Sequence, residues 1–286
     1  MILIYPFGAY HPLAEASTEP FIVPDQIITH SAADGPGPTN LKEYFDREDV
    51  KVESHFWINW EGWICQMMPL NRQADANLYA NDRAISIETE SNSIYSSLPW
   101  TPAQLSSLED LHEWLINNLN IPRQIILNPD MPGIGYHSMY ARGDKSDLSG
   151  VYQFKGNLTP NGKLWTKAYG KTCPGYDRVK QWETYLAPKL IQGDTIVMPT
   201  TKILRPGDRG EDVKLLQKAI NIIMRRNPKW GPFLKLDEDG KFGPNTFDGV
   251  ELLQDWVGAN DDGIWGPETK QKTEEYINKV KNATLP

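Results

Sequence analysis

Five side chains in this sequence could between them carry chemistry: His30, Glu88, His137, Lys171 and Cys173. Cys173, one of two cysteines, sits in the run Lys171-Thr172-Cys173-Pro174-Gly175, beside a cation and ahead of a helix-breaking Pro-Gly. A cysteine in such a turn can be a metal ligand, a nucleophile or a buried small residue. His30 closes an apolar run, and His137 follows Gly133-Ile134-Gly135-Tyr136. Two histidines and a cysteine from three loop-ended segments would supply the protein ligands of a catalytic zinc site, leaving a fourth position for water. Their separations match no local zinc motif, so spacing alone leaves open two loop histidines and a buried thiol. Glu88 alternates with Ile85 and Ile87, which puts it on the face opposite the isoleucines. A carboxylate held there beside a metal could act as general base; the bland alternative is a solvated sheet face. Glu53 and Glu61 could pair with it in the manner of a glycosidase.

The elements that must position these residues are legible from periodicity. Pro24 to His30 reads as a buried strand that delivers His30, and Ala84 to Glu90 as a second strand. Residues 50 to 68 read as a hairpin turning at Glu61-Gly62, with His55 in a structural or substrate-contact role. Thr101-Pro102-Ala103-Gln104 is a capping box that opens a helix striped with Leu105, Leu108, Leu111, Leu115 and Leu119. On that helix His112 is expected to face solvent. Gln124 to Leu127 reads as a strand, Gly133 to Tyr136 as a glycine-rich loop, 141 to 170 as a long surface loop, and Tyr176 to Leu190 as a helix. Strands alternating with helices imply an α/β domain with a mixed central sheet flanked by helices.

From about residue 204 the pattern changes. Asp239-Gly240-Lys241-Phe242-Gly243-Pro244 recurs as Asp262-Gly263-Ile264-Trp265-Gly266-Pro267, each copy an Asp-Gly turn, one aromatic and a Gly-Pro helix start. Three amphipathic segments joined by these turns imply a small all-α, three-helix domain, with each turn aromatic plugging its core. The boundaries are 1–193 for the first domain, 194–203 for a linker and 204–286 for the second.

A net charge of −8 and a pI near 5.2 argue against a nucleic-acid partner, which needs concentrated Lys and Arg. No apolar run reaches the length of a membrane span, so no membrane insertion is expected. The N-terminal stretch lacks the basic and apolar regions of a signal peptide.

Six landmarks in order give a resemblance. They are His30-Ser31-Ala32 after a strand, Ser54-His55-Phe56 with Glu61-Gly62, Ala84 to Glu88, Thr101 to Leu105, Gly135-Tyr136-His137 and Lys171 to Gly175. Residues 24 to 190 thereby resemble the type-2 N-acetylmuramoyl-L-alanine amidases, which share their fold with peptidoglycan recognition proteins. The resemblance implies that His30, His137 and Cys173 bind Zn2+, that Glu88 is the base, and that Lys171 stabilises the oxyanion. Two departures stand out. Ser54 occupies a position where some members carry a catalytic tyrosine, and the stretch between His137 and Cys173 is long, with Trp165 in it as a guessed groove wall.

The tail resembles a three-helix peptidoglycan-binding domain, in Arg205-Pro206-Gly207-Asp208-Arg209-Gly210 and in both repeats. The pairing resembles a modular bacteriophage endolysin. That implies a monomer that accumulates in the host cytoplasm and acts on bacterial peptidoglycan once the membrane opens. The rival readings are a non-catalytic recognition protein of the same fold and a muramidase using Glu88 with Glu53 or Glu61.

Overall fold

The computed structural model describes residues 3–32, 38–91, 98–141, 163–167, 171–193, 195–225 and 235–283. The expected 141–170 loop falls largely outside these residues. The chain folds as two compact units, Met1–Gly193 and Asp194–Pro286.

The first unit is built on a six-stranded mixed sheet. In chain order its strands are β1 (Ala9–Tyr10), β2 (Gln26–Thr29), β3 (Phe56–Ile58), β4 (Ile64–Gln66), β5 (Ala84–Thr89) and β6 (Gly133–Tyr136). In space they run β1-β4-β3-β5-β2-β6, with β3 and β4 antiparallel and every other pair parallel. Central β2 is buried on both faces, as a strand covered by helices must be.

Its register decides where chemistry can sit. Thr29 lies opposite Ile87 on one side and Tyr136 on the other. The next residues along, His30, Glu88 and His137, therefore leave three adjacent parallel strands at the same level. The crevice at the carboxyl ends of parallel strands is the usual site of chemistry in such sheets.

Helices α1 (Pro38–Phe45) and α2 (Pro102–Leu119) flank the sheet, with α3 (Tyr176–Gln181), a π-helical turn at Trp182–Leu186 and α4 (Ala187–Gln192) forming one continuous helical segment. The capping box of α2 forms as expected: Gln104 N donates to Thr101 Oγ1 at 3.1 Å and Thr101 N to Gln104 Oε1 at 3.2 Å.

Three expectations are overturned. Gln124 to Leu127 makes only an isolated bridge, Ile125 to Ile134, whereas Gly133 to Tyr136 is the strand. The glycines that suggested a loop serve close approach instead. Gly133 has φ +137°, and a Cβ there would lie 2.3 Å from Gln124 O. His112, expected to face solvent, is fully buried: Nδ1 donates to Leu108 O at 2.7 Å, and Thr29 Oγ1 donates to Nε2 at 3.2 Å. The reason is that α2 packs against β3, the π-turn and α4, so more than one stripe is covered.

In the second unit, α5 (Glu211–Arg225), α6 (Pro244–Val257) and α7 (Pro267–Ala283) enclose one core. Phe242 and Trp265, the two turn aromatics, are buried in it as expected. Each repeated turn is clasped by a buried glutamine from the helix before it. Gln217 Nε2 donates to Asp239 Oδ1, Lys241 O and Thr246 Oγ1, while its Oε1 accepts from Gly240 N at 2.9 Å. Gln254 repeats the pattern on Asp262, Ile264, Thr269 and Gly263, with the last bond at 2.8 Å. Residues expected to be linker also dock here. Ile196 and Met198 pack on the core. Asp212, in the first turn of α5, accepts from Thr200 N at 3.0 Å and Thr201 N at 2.9 Å.

Two outcomes follow from this packing. Gln217→Ala and Gln254→Ala should each lower stability by about 2 kcal/mol, because each strands several buried partners; urea unfolding of the full chain reads this. The second concerns pH. Burial lowers His112 and His55 to about 4. The unfolded chain protonates both below about 6.5 while the fold resists, so each removes about 1.4 kcal/mol per pH unit as pH falls through that window. Glu53, pushed up to about 7 by burial, acts in the opposite sense over the same range. The stability advantage of wild type over His112→Gln should therefore shrink as pH drops from 6.5 to 5. A pH-independent difference in urea midpoints would mean that His112 protonates freely within the fold.

Candidate metal centre

His30 and His137 meet at the end of their strands with ring centroids 4.4 Å apart. Cys173 joins them from the turn before α3, and one ligand atom from each of the three lies within 4.8 Å of the others. The turn is fastened at both ends. Ser138 N donates to Cys173 O at 2.9 Å, and Ser31 N donates to Cys173 Sγ at 3.2 Å. The residues following each histidine thus hold the cysteine between them.

The partners of the imidazoles define their tautomers. His30 Nε2 lies 2.8 Å from Asn77 Oδ1, and the Asn77 amide is oriented by its Nδ2, which donates to Ser86 Oγ at 2.6 Å. His137 Nε2 lies 3.0 Å from Trp165 O. Both acceptors require the proton on Nε2, which directs the Nδ1 lone pairs to the cluster. Burial, reinforced by the nearby His137 and Lys171, holds His30 well below its ordinary range, so the ring is neutral.

Two imidazoles with outer hydrogen bonds and a thiol, their ligand atoms within 4.8 Å of one another, fit a zinc ion. Burial pushes the Cys173 thiol up to about 12, with the Glu88 charge adding to the rise. Left alone it stays protonated and is a poor nucleophile; a divalent cation would convert it to thiolate.

Glu88 stands beside this group, with Oε1 3.7 Å from His30 Nδ1, too far for a hydrogen bond. The ring is neutral, so the contact is not an ion pair. Oε2 is buried and has no hydrogen-bond partner among the described residues. Burial pushes the carboxyl up to about 7, while the charges of Lys171 and Arg178 pull it back. A carboxyl balanced near neutrality is suited to proton transfer. Lys171 is half-buried two residues before the cysteine, and its charge reaches His30, Glu88 and Cys173.

The other carboxylates are engaged elsewhere. Glu53 is buried and accepts from Asp75 N at 2.7 Å; Glu61 is exposed in its turn. His55 is locked between Arg72 O at 2.9 Å and Ser86 N at 3.1 Å, a structural role. Ser54 is buried, and its Oγ has no hydrogen-bond partner among the described residues. Trp165 is not a groove wall: it is buried against Tyr140, ring centroids 4.7 Å apart.

Asn77 and Arg178 were not singled out by the sequence. Arg178 is fully buried, donating to Ser31 Oγ at 2.6 Å, Thr89 Oγ1 at 2.9 Å, and Leu98 O and Glu90 O at 2.8 Å. It ties together the loops after β2 and β5 that frame the site. A helical arginine between polar neighbours gives no sign of this, and an asparagine in a polar stretch gives none of its contact with a histidine.

Residues 20–150 match the family model described as N-acetylmuramoyl-L-alanine amidase, and residues 209–272 match that of a peptidoglycan binding domain. The first match contains His30, Glu88 and His137 and ends before Lys171 and Cys173. Among solved structures, the chain is similar to the N-acetylmuramoyl-L-alanine amidase LysC from Clostridium intestinale URNW. The identity is 20% and the TM-score 0.40, over 59% of this chain and 89% of that one. It is also similar to the endolysin amidase LysCS from the same organism, at 23% identity and a TM-score of 0.38, over 47% of this chain and 82% of that one. No curated protein matches the chain.

Proposed function

For a chain that carries an N-acetylmuramoyl-L-alanine amidase domain followed by a peptidoglycan-binding domain, we propose a zinc-dependent cut at the amide joining N-acetylmuramic acid to L-alanine. The observation that carries this reading is the convergence of His30, His137 and Cys173 beside a buried carboxylate oxygen that has no hydrogen-bond partner among the described residues. His30 and His137 would hold the metal through Nδ1 and Cys173 through Sγ. Bound there, zinc supplies Lewis acidity toward a carbonyl and lowers the pKa of water.

The remaining work falls to the chain's own groups. Glu88, balanced near pH 7, takes the proton of the attacking water and returns it to the leaving amine. Lys171 places a cation where negative charge develops on the scissile oxygen. Arg178 keeps the loops after β2 and β5 in position, so the base and the Cys173 turn do not drift apart.

The second domain holds the enzyme on its polymer. A net charge of −8 gives no long-range attraction to an anionic wall, so local contacts must raise the concentration of catalytic domain at its substrate. We assign the protein to lysis of a bacterial host from within, as a monomer acting on the cell wall. Among the described residues no helix is long and apolar enough to cross a membrane.

Cys173→Ala should lose bound zinc and lower activity by more than about a hundred-fold, since even the outer partners of metal ligands are worth roughly ten- to a hundred-fold. Glu88→Gln should keep the metal and lose about a hundred- to ten-thousand-fold in kcat. Metal content by mass spectrometry, with digestion of purified wall, reads both. New free L-alanine amines are the expected product. Release of reducing sugar ends, or full activity in chelator, overturns the reading.

A further inference from the structure

Each imidazole of the cluster has its outer nitrogen held by an acceptor supplied from outside the sheet, Asn77 Oδ1 for His30 and Trp165 O for His137. These acceptors belong to one assembly, because Tyr79 N donates to Leu164 O at 3.3 Å and laces the two segments together. Asn77 is fully buried and fixed on two further sides. Its Nδ2 donates to Ser86 Oγ on β5, and its backbone N donates to Asn81 Oδ1 at 2.6 Å.

Trp165 sets the position of its own carbonyl. Its N donates to Tyr140 O at 2.9 Å, and its ring fills the space over Gly135, where a Cβ would meet the indole at 2.9 Å. Among the described residues the buried indole Nε1 has no hydrogen-bond partner, so the ring serves by shape.

We propose that Asn77 and the Leu164–Trp165 segment form a single outer clamp that locks His30 and His137 as Nε2–H tautomers with Nδ1 toward the metal, Asn77 acting as a positioning residue. The clamp also gives the long connection between His137 and Cys173 a purpose: it carries a carbonyl to the back of a ligand. This rests on the reading of the cluster as a metal site. It adds that affinity for the metal is set by residues that never touch it.

The test uses the full chain. In the zinc-free wild type, long-range 15N NMR should find both His30 and His137 protonated at Nε2; a proton on Nδ1 of either overturns the clamp. Asn77→Leu should raise the zinc dissociation constant roughly ten- to a hundred-fold in competition with a chromophoric chelator. Asn77→Asp, which keeps an acceptor, should recover most of that loss. Trp165→Phe should stay near wild type and Trp165→Ala should weaken binding. A folded Asn77→Leu protein with wild-type zinc affinity overturns the proposal. If that variant does not fold, the wild-type tautomers and the Trp165 pair decide. A wild type that takes up no zinc would sink the metal reading itself, which the NMR arm distinguishes from failure of the clamp.

Discussion

Parallel pairing of β2 with β5 and β6 is the constraint on which the catalytic unit depends. With Thr29 opposite both Ile87 and Tyr136, the next residue on each strand falls in one row. A slip of one residue on β5 would exchange Glu88 for Ile87 or Thr89 and turn the carboxylate to the other face. Burial enforces the register: Ile27, Ile28, Ile85, Ile87 and Ile134 are all excluded from solvent. Hydrophobic packing thus fixes the polar row, and His30 N donating to Ile87 O at 2.7 Å continues the ladder one step past β2.

Much of this was legible in the sequence, because its signals are local. The β-branched alternation of Ala84 to Thr89, the apolar run into His30 and the capping box at Thr101 each predict an element from neighbouring residues alone. What could not be read depends on surfaces contributed from afar. Gly133 and Gly135 look like loop residues until Gln124 O and the Trp165 ring press against them. His112 looks exposed until a second layer of helix covers α2. The outer shell is harder still: Asn77 reaches His30 across 47 positions and Trp165 reaches His137 across 28, with no periodicity to announce either.

The site also shows how a fold holds a charge-poor cluster. His30 is neutral, Cys173 on its own stays protonated, and Glu88 is poised near neutrality. Arg178 and Lys171 supply the positive field that keeps the carboxylate from being lost to burial. Arg178 is itself lowered to about 10 by desolvation, so the field comes from a cation that the fold buries at some expense in stability.

The docking of Ile196, Met198, Thr200 and Thr201 on the second unit shifts where that module begins as an object that can be moved. Transplanted onto another enzyme from residue 204, it would leave behind two apolar side chains of its core and the donors that satisfy Asp212. A portable unit would therefore include these residues, which lie within the compact second unit.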